Sequence, residues 1–180
     1  MKSRAEAMMI ELLPRMKQYF DTTQNRFICF HDMGFQAEGW FKGELLTLFS
    51  ELQHEGIIQK LEREVKVGTK KVDIRIRLND TYHWIELKHW LIGEQKDFTY
   101  NTGFYFSDPT SVGITGDVDK LYPLTGYRWM LLLLTAKPEV QAWEAGVAKF
   151  NSRFAPWHLE SRTRPDGFSS TYFLGLLELA

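Results

Sequence analysis

Residues 72–90, VDIRIRLNDTYHWIELKHW, alternate apolar and polar side chains on either side of Asn79-Asp80, and that alternation decides how the chain folds. Val72, Ile74, Ile76 and Leu78 fall at every second position, as a strand with one buried face requires. Asn and Asp suit a tight two-residue turn, so the stretch predicts a hairpin in which Leu78 pairs with Thr81. In that register Asp73 faces Glu86 and Lys71 faces Lys88 across the strands. Lys71, Asp73, Arg75 and Arg77 then share one face with Tyr82, Trp84, Glu86 and Lys88. Val72, Ile74, Ile76, Leu78, Ile85 and Leu87 make the other face, which is the core side.

Outward from the hairpin, residues 61–67 form a third strand, joined to the second by Gly68-Thr69, and such short links make the three strands an antiparallel meander. Upstream, Phe41, Leu45, Leu48 and Leu52 give one apolar stripe at helical period over residues 36–54, and Gly56 is placed to end that helix. Glu44 lies at the margin of this stripe, about 80° from its centre at ~100° per residue. Downstream of a polar, aromatic and glycine-containing stretch at 93–116, DVDKLYPL predicts a short helix and YRWMLLLLTA a buried strand. A helix from Pro138 to about 150 and a strand near 171–177 follow. The expected fold is α/β: a mixed sheet with a three-stranded antiparallel meander flanked by helices, in the order αβββαβ plus a C-terminal helix and strand. A single domain spans 1–180, with its core at about 36–135, an amphipathic helix at 1–20 and the 138–178 segment as additions.

Two carboxylates opposite one another on a sheet repel unless something compensates. Asp73 and Glu86 offer the hard oxygen ligands that Mg²⁺ prefers, and Mg²⁺ commonly takes only one or two protein carboxylates. Lys88, on the same face, is placed to orient or help deprotonate a metal-bound water and to stabilise charge on the phosphorane-like transition state. The plainer alternative is that Asp73 and Glu86 pair with Arg75, Lys71 and Lys88 on a solvated face.

Asp73, twelve intervening residues and then Glu86-x-Lys88, behind a helix carrying Glu44, resemble the PD-(D/E)xK nuclease superfamily, whose core is a helix, a three-stranded meander, a helix and a further strand. The resemblance covers about 100 residues, and Val72 stands where the namesake proline would be. It implies a restriction-endonuclease-like core and a nuclease that hydrolyses DNA phosphodiesters with Mg²⁺, for which Mn²⁺ can substitute. Asp73 and Glu86 would bind the metal, Lys88 would be the active-site lysine, and Glu44 the first-helix glutamate that assists metal binding. Lys120, within DVDKL, sits where such proteins often present a basic residue to phosphate; Lys71 and Arg75 are further candidate nucleic-acid contacts. An RNA substrate, or a non-catalytic nucleic-acid or protein-binding module on the same fold, are the alternatives, and a homodimer would suit cutting of both strands.

Composition limits the rest. The chain is 44% hydrophobic and 25% charged with a net charge of −1, so no global basic field marks a nucleic-acid partner. Residues 60–88 nevertheless carry eight Lys or Arg against five Asp or Glu. Nothing approaches the roughly 18 apolar residues of a membrane span, and a cytoplasmic location is expected. The single cysteine, Cys29, excludes an internal disulfide and is expected to be a buried thiol. His83 and His89 fall on the apolar side of their strand and are expected to be hydrogen-bonded core residues. The aromatics at 98, 100 and 104–106 either pack a lid of their own or stack on unpaired bases.

Overall fold

The computed structural model describes residues 4–23, 26, 29–30, 33, 35–91, 93–95, 98–100, 102–107, 113–134, 139–148, 158–163 and 170–179. Helices α1 (Arg4–Asp21) and α2 (Glu38–His54) precede the meander of β1 (Lys60–Val67), β2 (Lys70–Leu78) and β3 (Thr81–Trp90). A separate two-stranded ribbon, β4 (Gly93–Gln95) with β5 (Phe98–Tyr100), leads through α3 (Thr102–Ser107) and α4 (Thr115–Leu121) to β6 (Tyr127–Leu134). Helix α5 (Val140–Ala148) and strands β7 (His158–Thr163) and β8 (Ser170–Glu178) complete the order. The main sheet has six strands in the order β1-β2-β3-β6-β8-β7, with β3 and β6 parallel and the other neighbours antiparallel. This is the predicted α/β architecture, with a mixed sheet flanked by helices. The ribbon, α3 and β7 were not legible as elements, and Pro138, expected to open the C-terminal helix, lies outside the described residues.

The hairpin forms as its sequence dictates. Asn79 and Asp80 take φ of 46° and 62°, as a type I′ turn demands, and Leu78 pairs with Thr81. The core divides into two layers because β6 is apolar and buried from Trp129 to Leu134. Trp129, Leu131 and Leu133 face α1 and α2, packing with Ile74, Ile76, Leu78, Ile85 and Leu87. Met130, Leu132 and Leu134 face the other way, onto Tyr105, Phe106, Val118, Leu121 and Trp143 of α3, α4 and α5.

That second layer corrects two expectations. The solvated face of the plainer alternative does not extend to Glu86 and Lys88, which are only 2% and 7% exposed, although Lys71 on the same face is exposed. Val72 packs with the second layer rather than beside Ile74. The cause is a change of phase where β1 and β2 meet: their pairing runs through Arg63–Ile74 and resumes at Val65–Val72, skipping Glu64 and Asp73, and Glu64 has φ 52°. Strand alternation therefore cannot be carried through Asp73.

Cys29 is exposed, not buried, because it lies on the link between α1 and α2, with Sγ 3.7 Å from Met33 Sδ. His83 and His89 are buried and hydrogen-bonded as expected: Trp129 Nε1 donates to His83 Nδ1 at 3.0 Å, and the Ala37 amide, at the start of α2, donates to His89 Nδ1 at 3.0 Å. Tyr105 and Phe106 are core residues, Tyr105 stacking on Trp90 at 4.8 Å, so they are not available to bases. Phe104 is exposed, and the side chains of Phe98 and Tyr100 lie outside the described residues. Among the described residues no helix is long and apolar enough to cross a membrane.

Candidate functional site

Beyond Ile74–Ile85 the described β2–β3 ladder ends, and Asp73 and Glu86 link the strands through their side chains instead. The Asp73 amide donates to Glu86 Oε1 at 3.3 Å, and the Leu87 amide donates to Asp73 Oδ2 at 3.0 Å. Each carboxylate thus reaches across to the other strand's backbone. The interrupted pairing at Glu64 on the opposite edge of β2 leaves Asp73 flanked by irregular backbone on both sides. A left-handed non-glycine residue costs on the order of 1–2 kcal/mol, and such strain concentrates at functional sites.

Four lysines and three further acids surround this pair. From α2, Lys42 Nζ donates to Asp73 Oδ1 at 2.7 Å and also binds Glu64 Oε1; Lys71 lies 3.6 Å from Glu64. From α4, Lys120 Nζ is 2.7 Å from Glu86 Oε1 and 3.0 Å from Asp117 Oδ1. Lys88 is 3.0 Å from Asp117 Oδ2 and 3.8 Å from Glu38 Oε2. Asp73, Glu86, Lys88 and Lys120 therefore meet in one network. The pairing of Asp73 and Glu86 with Arg75, Lys71 and Lys88 is replaced by pairing with Lys42 and Lys120, which the two helical layers supply from opposite faces of the sheet.

Glu44 is not part of this network. It accepts hydrogen bonds from Tyr19 at 2.9 Å and Arg26 at 2.7 Å, on the side of α2 that faces α1, and the Tyr19 hydroxyl is pushed up to about 12 by burial and by this carboxylate. The acidic residue that α2 delivers to the site is Glu38. The signal was present in the helical stripe: at ~100° per residue Glu38 and Lys42 flank it on one side, about 50° and 90° from its centre, and Glu44 flanks the other. Arg75 is held by Glu62 at 2.7 and 2.8 Å and lies 4.7 Å from both the Tyr82 and Trp84 ring centroids, so its guanidinium is engaged within the protein. Lys71 is exposed at the site's edge.

Burial and crowding set the charges. Burial raises the Asp73 carboxyl, but the Lys42 ammonium and the Leu87 amide outweigh it, and the net shift is downward; Asp73 is an anion. Glu86 goes the other way, up to about 9, first because it is buried and then because Asp73 is already charged. Burial also raises Glu38, with Lys88 opposing. Lys88 and Lys120 are lowered by burial, yet the surrounding carboxylates, Asp117 first for Lys88 and Glu86 first for Lys120, bring both above the ordinary lysine value. Both are firmly ammonium groups.

Among the described residues the cluster holds five carboxyl groups, Glu38, Glu64, Asp73, Glu86 and Asp117, beside the enclosed lysines Lys42, Lys88 and Lys120 and the exposed Lys71. Two hard oxygen donors side by side, one of them a buried glutamate whose charged form lacks sufficient compensation, suit a divalent cation held by one or two carboxylates, with water and phosphate oxygens completing its shell. Among the described residues no three His, Cys, Asp or Glu side chains are grouped so that they could hold a metal ion. Comparison of the chain with protein-family models, with curated proteins and with solved structures gives no match.

Proposed function

We propose that this chain is a divalent-metal-dependent nuclease of the PD-(D/E)xK kind, hydrolysing phosphodiester bonds of DNA on a restriction-endonuclease-like core. The observation that carries this reading is the meeting of Asp73, Glu86 and Lys88 where the β2–β3 ladder ends, with the two carboxylates bonded crosswise to the opposing backbones. Support for the core comes from the succession α2, β1–β3, α4 and β6, the last parallel to β3.

Asp73 and Glu86 hold Mg²⁺ or Mn²⁺, and Glu38 replaces Glu44 as the acid contributed by the preceding helix. The bound ion supplies Lewis-acid polarisation of the phosphodiester and a lowered pKa for the attacking water. In the metal-free protein the carboxylates around Lys88 favour its ammonium form, which would face the phosphate oxygens as a positive charge and orient the nucleophile. Lys120, from the opposite layer, faces the same substrate group.

The test is cleavage of plasmid DNA, single-stranded DNA and RNA with Mg²⁺ or Mn²⁺ by the unsubstituted protein, Asp73→Asn and Lys88→Met. The expected result is metal-dependent cleavage of DNA that falls about a hundredfold or more in each variant while circular dichroism shows the fold retained. Undiminished cleavage in Asp73→Asn, or none of any substrate by the unsubstituted protein, rejects the assignment. One observation favours a second reading, a non-catalytic binding module: both carboxylates already carry a lysine partner. Nucleic-acid binding that needs no metal and survives Asp73→Asn identifies that alternative.

A further inference from the structure

The two lysines that pair with the metal-binding carboxylates share a design. Lys42 Nζ sits between Asp73 and Glu64; Lys120 Nζ sits between Glu86 and Asp117. Each ammonium therefore touches one carboxylate assigned to the metal and one that is not. They come from opposite layers, Lys42 from α2 and Lys120 from α4, and both are largely enclosed, with side chains 22% and 11% exposed. Glu64 reaches Lys42 from the residue at which β1 departs from regular strand geometry, in the left-handed region that a glutamate adopts only at a cost.

Building on the metal-dependent reading, we infer that Lys42 and Lys120 are resident counter-cations of the site, which a divalent ion displaces from Asp73 and Glu86 onto Glu64 and Asp117. Two ammonium contacts are given up and one doubly charged ion takes their place, so neither metal-binding carboxyl group is left without a cation beside it. A singly charged ion cannot replace both, so the arrangement discriminates by charge as well as by ligand type. It also moves two lysines into position beside the metal, where a phosphate oxygen would meet them. Glu64 and Asp117 are thus positioning residues, which hold the displaced lysines and bind no metal.

Isothermal titration of the full chain with Mn²⁺, without nucleic acid, tests this. Lys42→Met and Lys120→Met each remove one competitor and are expected to tighten Mn²⁺ binding about tenfold, the double substitution more. Glu64→Gln removes the alternative partner of Lys42 and is expected to weaken binding severalfold; a merely structural role for the lysines would make both kinds of change weaken it. Should a lysine variant fail to fold, the unsubstituted protein gives an independent answer: the Nζ resonances of Lys42 and Lys120 shift on titration with Mg²⁺. Binding by the lysine variants alone, with none by the unsubstituted protein, also supports the exchange. Asp73-dependent binding that is unchanged or weaker in Lys42→Met and Lys120→Met, or lysine resonances that stay fixed while Mg²⁺ binds, overturns the exchange and leaves the nuclease reading standing. No Mn²⁺ binding by any of these proteins overturns both.

Discussion

Glu86→Gln removes a carboxylate that is 2% exposed while preserving its shape and the oxygen that accepts from the Asp73 amide. In the folded protein Glu86 titrates near 9, against an ordinary value of 4.5. A raised folded-state pKa contributes its stability fully below pH 4.5, and that contribution is lost as pH rises toward 9. At pH 7 folding must bring a proton onto a group that is ionised in the unfolded chain. Over about 2.5 pH units, at ~1.4 kcal/mol per unit, the cost is about 3 kcal/mol. The glutamine does not titrate. It does alter the hydrogen bond with Lys120, but Lys120 keeps Asp117 at 3.0 Å, so a net gain of about 2 kcal/mol at pH 7 is expected. Urea unfolding of both proteins without divalent metal, at pH 5, 7 and 8.5, measures it: the variant's advantage starts small at pH 5 and grows with pH. Burial lowers His83 to about 4, but its effect is common to both proteins and cancels in the comparison. Saturating Mg²⁺ closes the gap, because only the glutamate binds it. A difference that stays constant from pH 5 to 8.5, or an unsubstituted protein that is the more stable at pH 8.5, refutes the reasoning.

Glu44→Gln, which touches only the α1-side contacts with Tyr19 and Arg26, is expected to leave metal-dependent cleavage within about twofold, while Glu38→Gln reduces it by about tenfold or more; initial rates on one DNA substrate separate them. Gly126→Ala is expected to destabilise the fold by about 1–3 kcal/mol in urea titration, because Gly126 has φ 97° and a Cβ there would lie 2.6 Å from the Tyr82 carbonyl oxygen, where β6 starts beside β3.

Much of the architecture was legible because period and turn chemistry agree. Asn79-Asp80 fixed the hairpin register, the apolar stripe of α2 fixed its core face, and the unbroken apolar run of β6 required cover on both sides. Asp73, Glu86, Lys88 and Lys120 do converge. What strand alternation could not reveal was the change of phase at Glu64 and Asp73, which depends on one left-handed residue and moves Val72 to the other layer. Nor could it show that a second layer buries Glu86 and Lys88, because α3 lies in a stretch without helical periodicity long enough to register, and the short helix expected at DVDKLYPL does not by its period alone tell what it covers. Glu38 and Glu44 lie on opposite flanks of the α2 stripe, and helical period alone does not tell which flank faces β3.

The central claim is that Asp73 and Glu86 together hold a divalent cation. Anomalous diffraction from crystals soaked in Mn²⁺ tests it most directly. The account predicts one strong peak about 2.0–2.4 Å from a carboxylate oxygen of each, with Lys42 and Lys120 withdrawn toward Glu64 and Asp117. Crystals that bind Mn²⁺ only elsewhere, with Lys42 still on Asp73 and Lys120 still on Glu86, would contradict it.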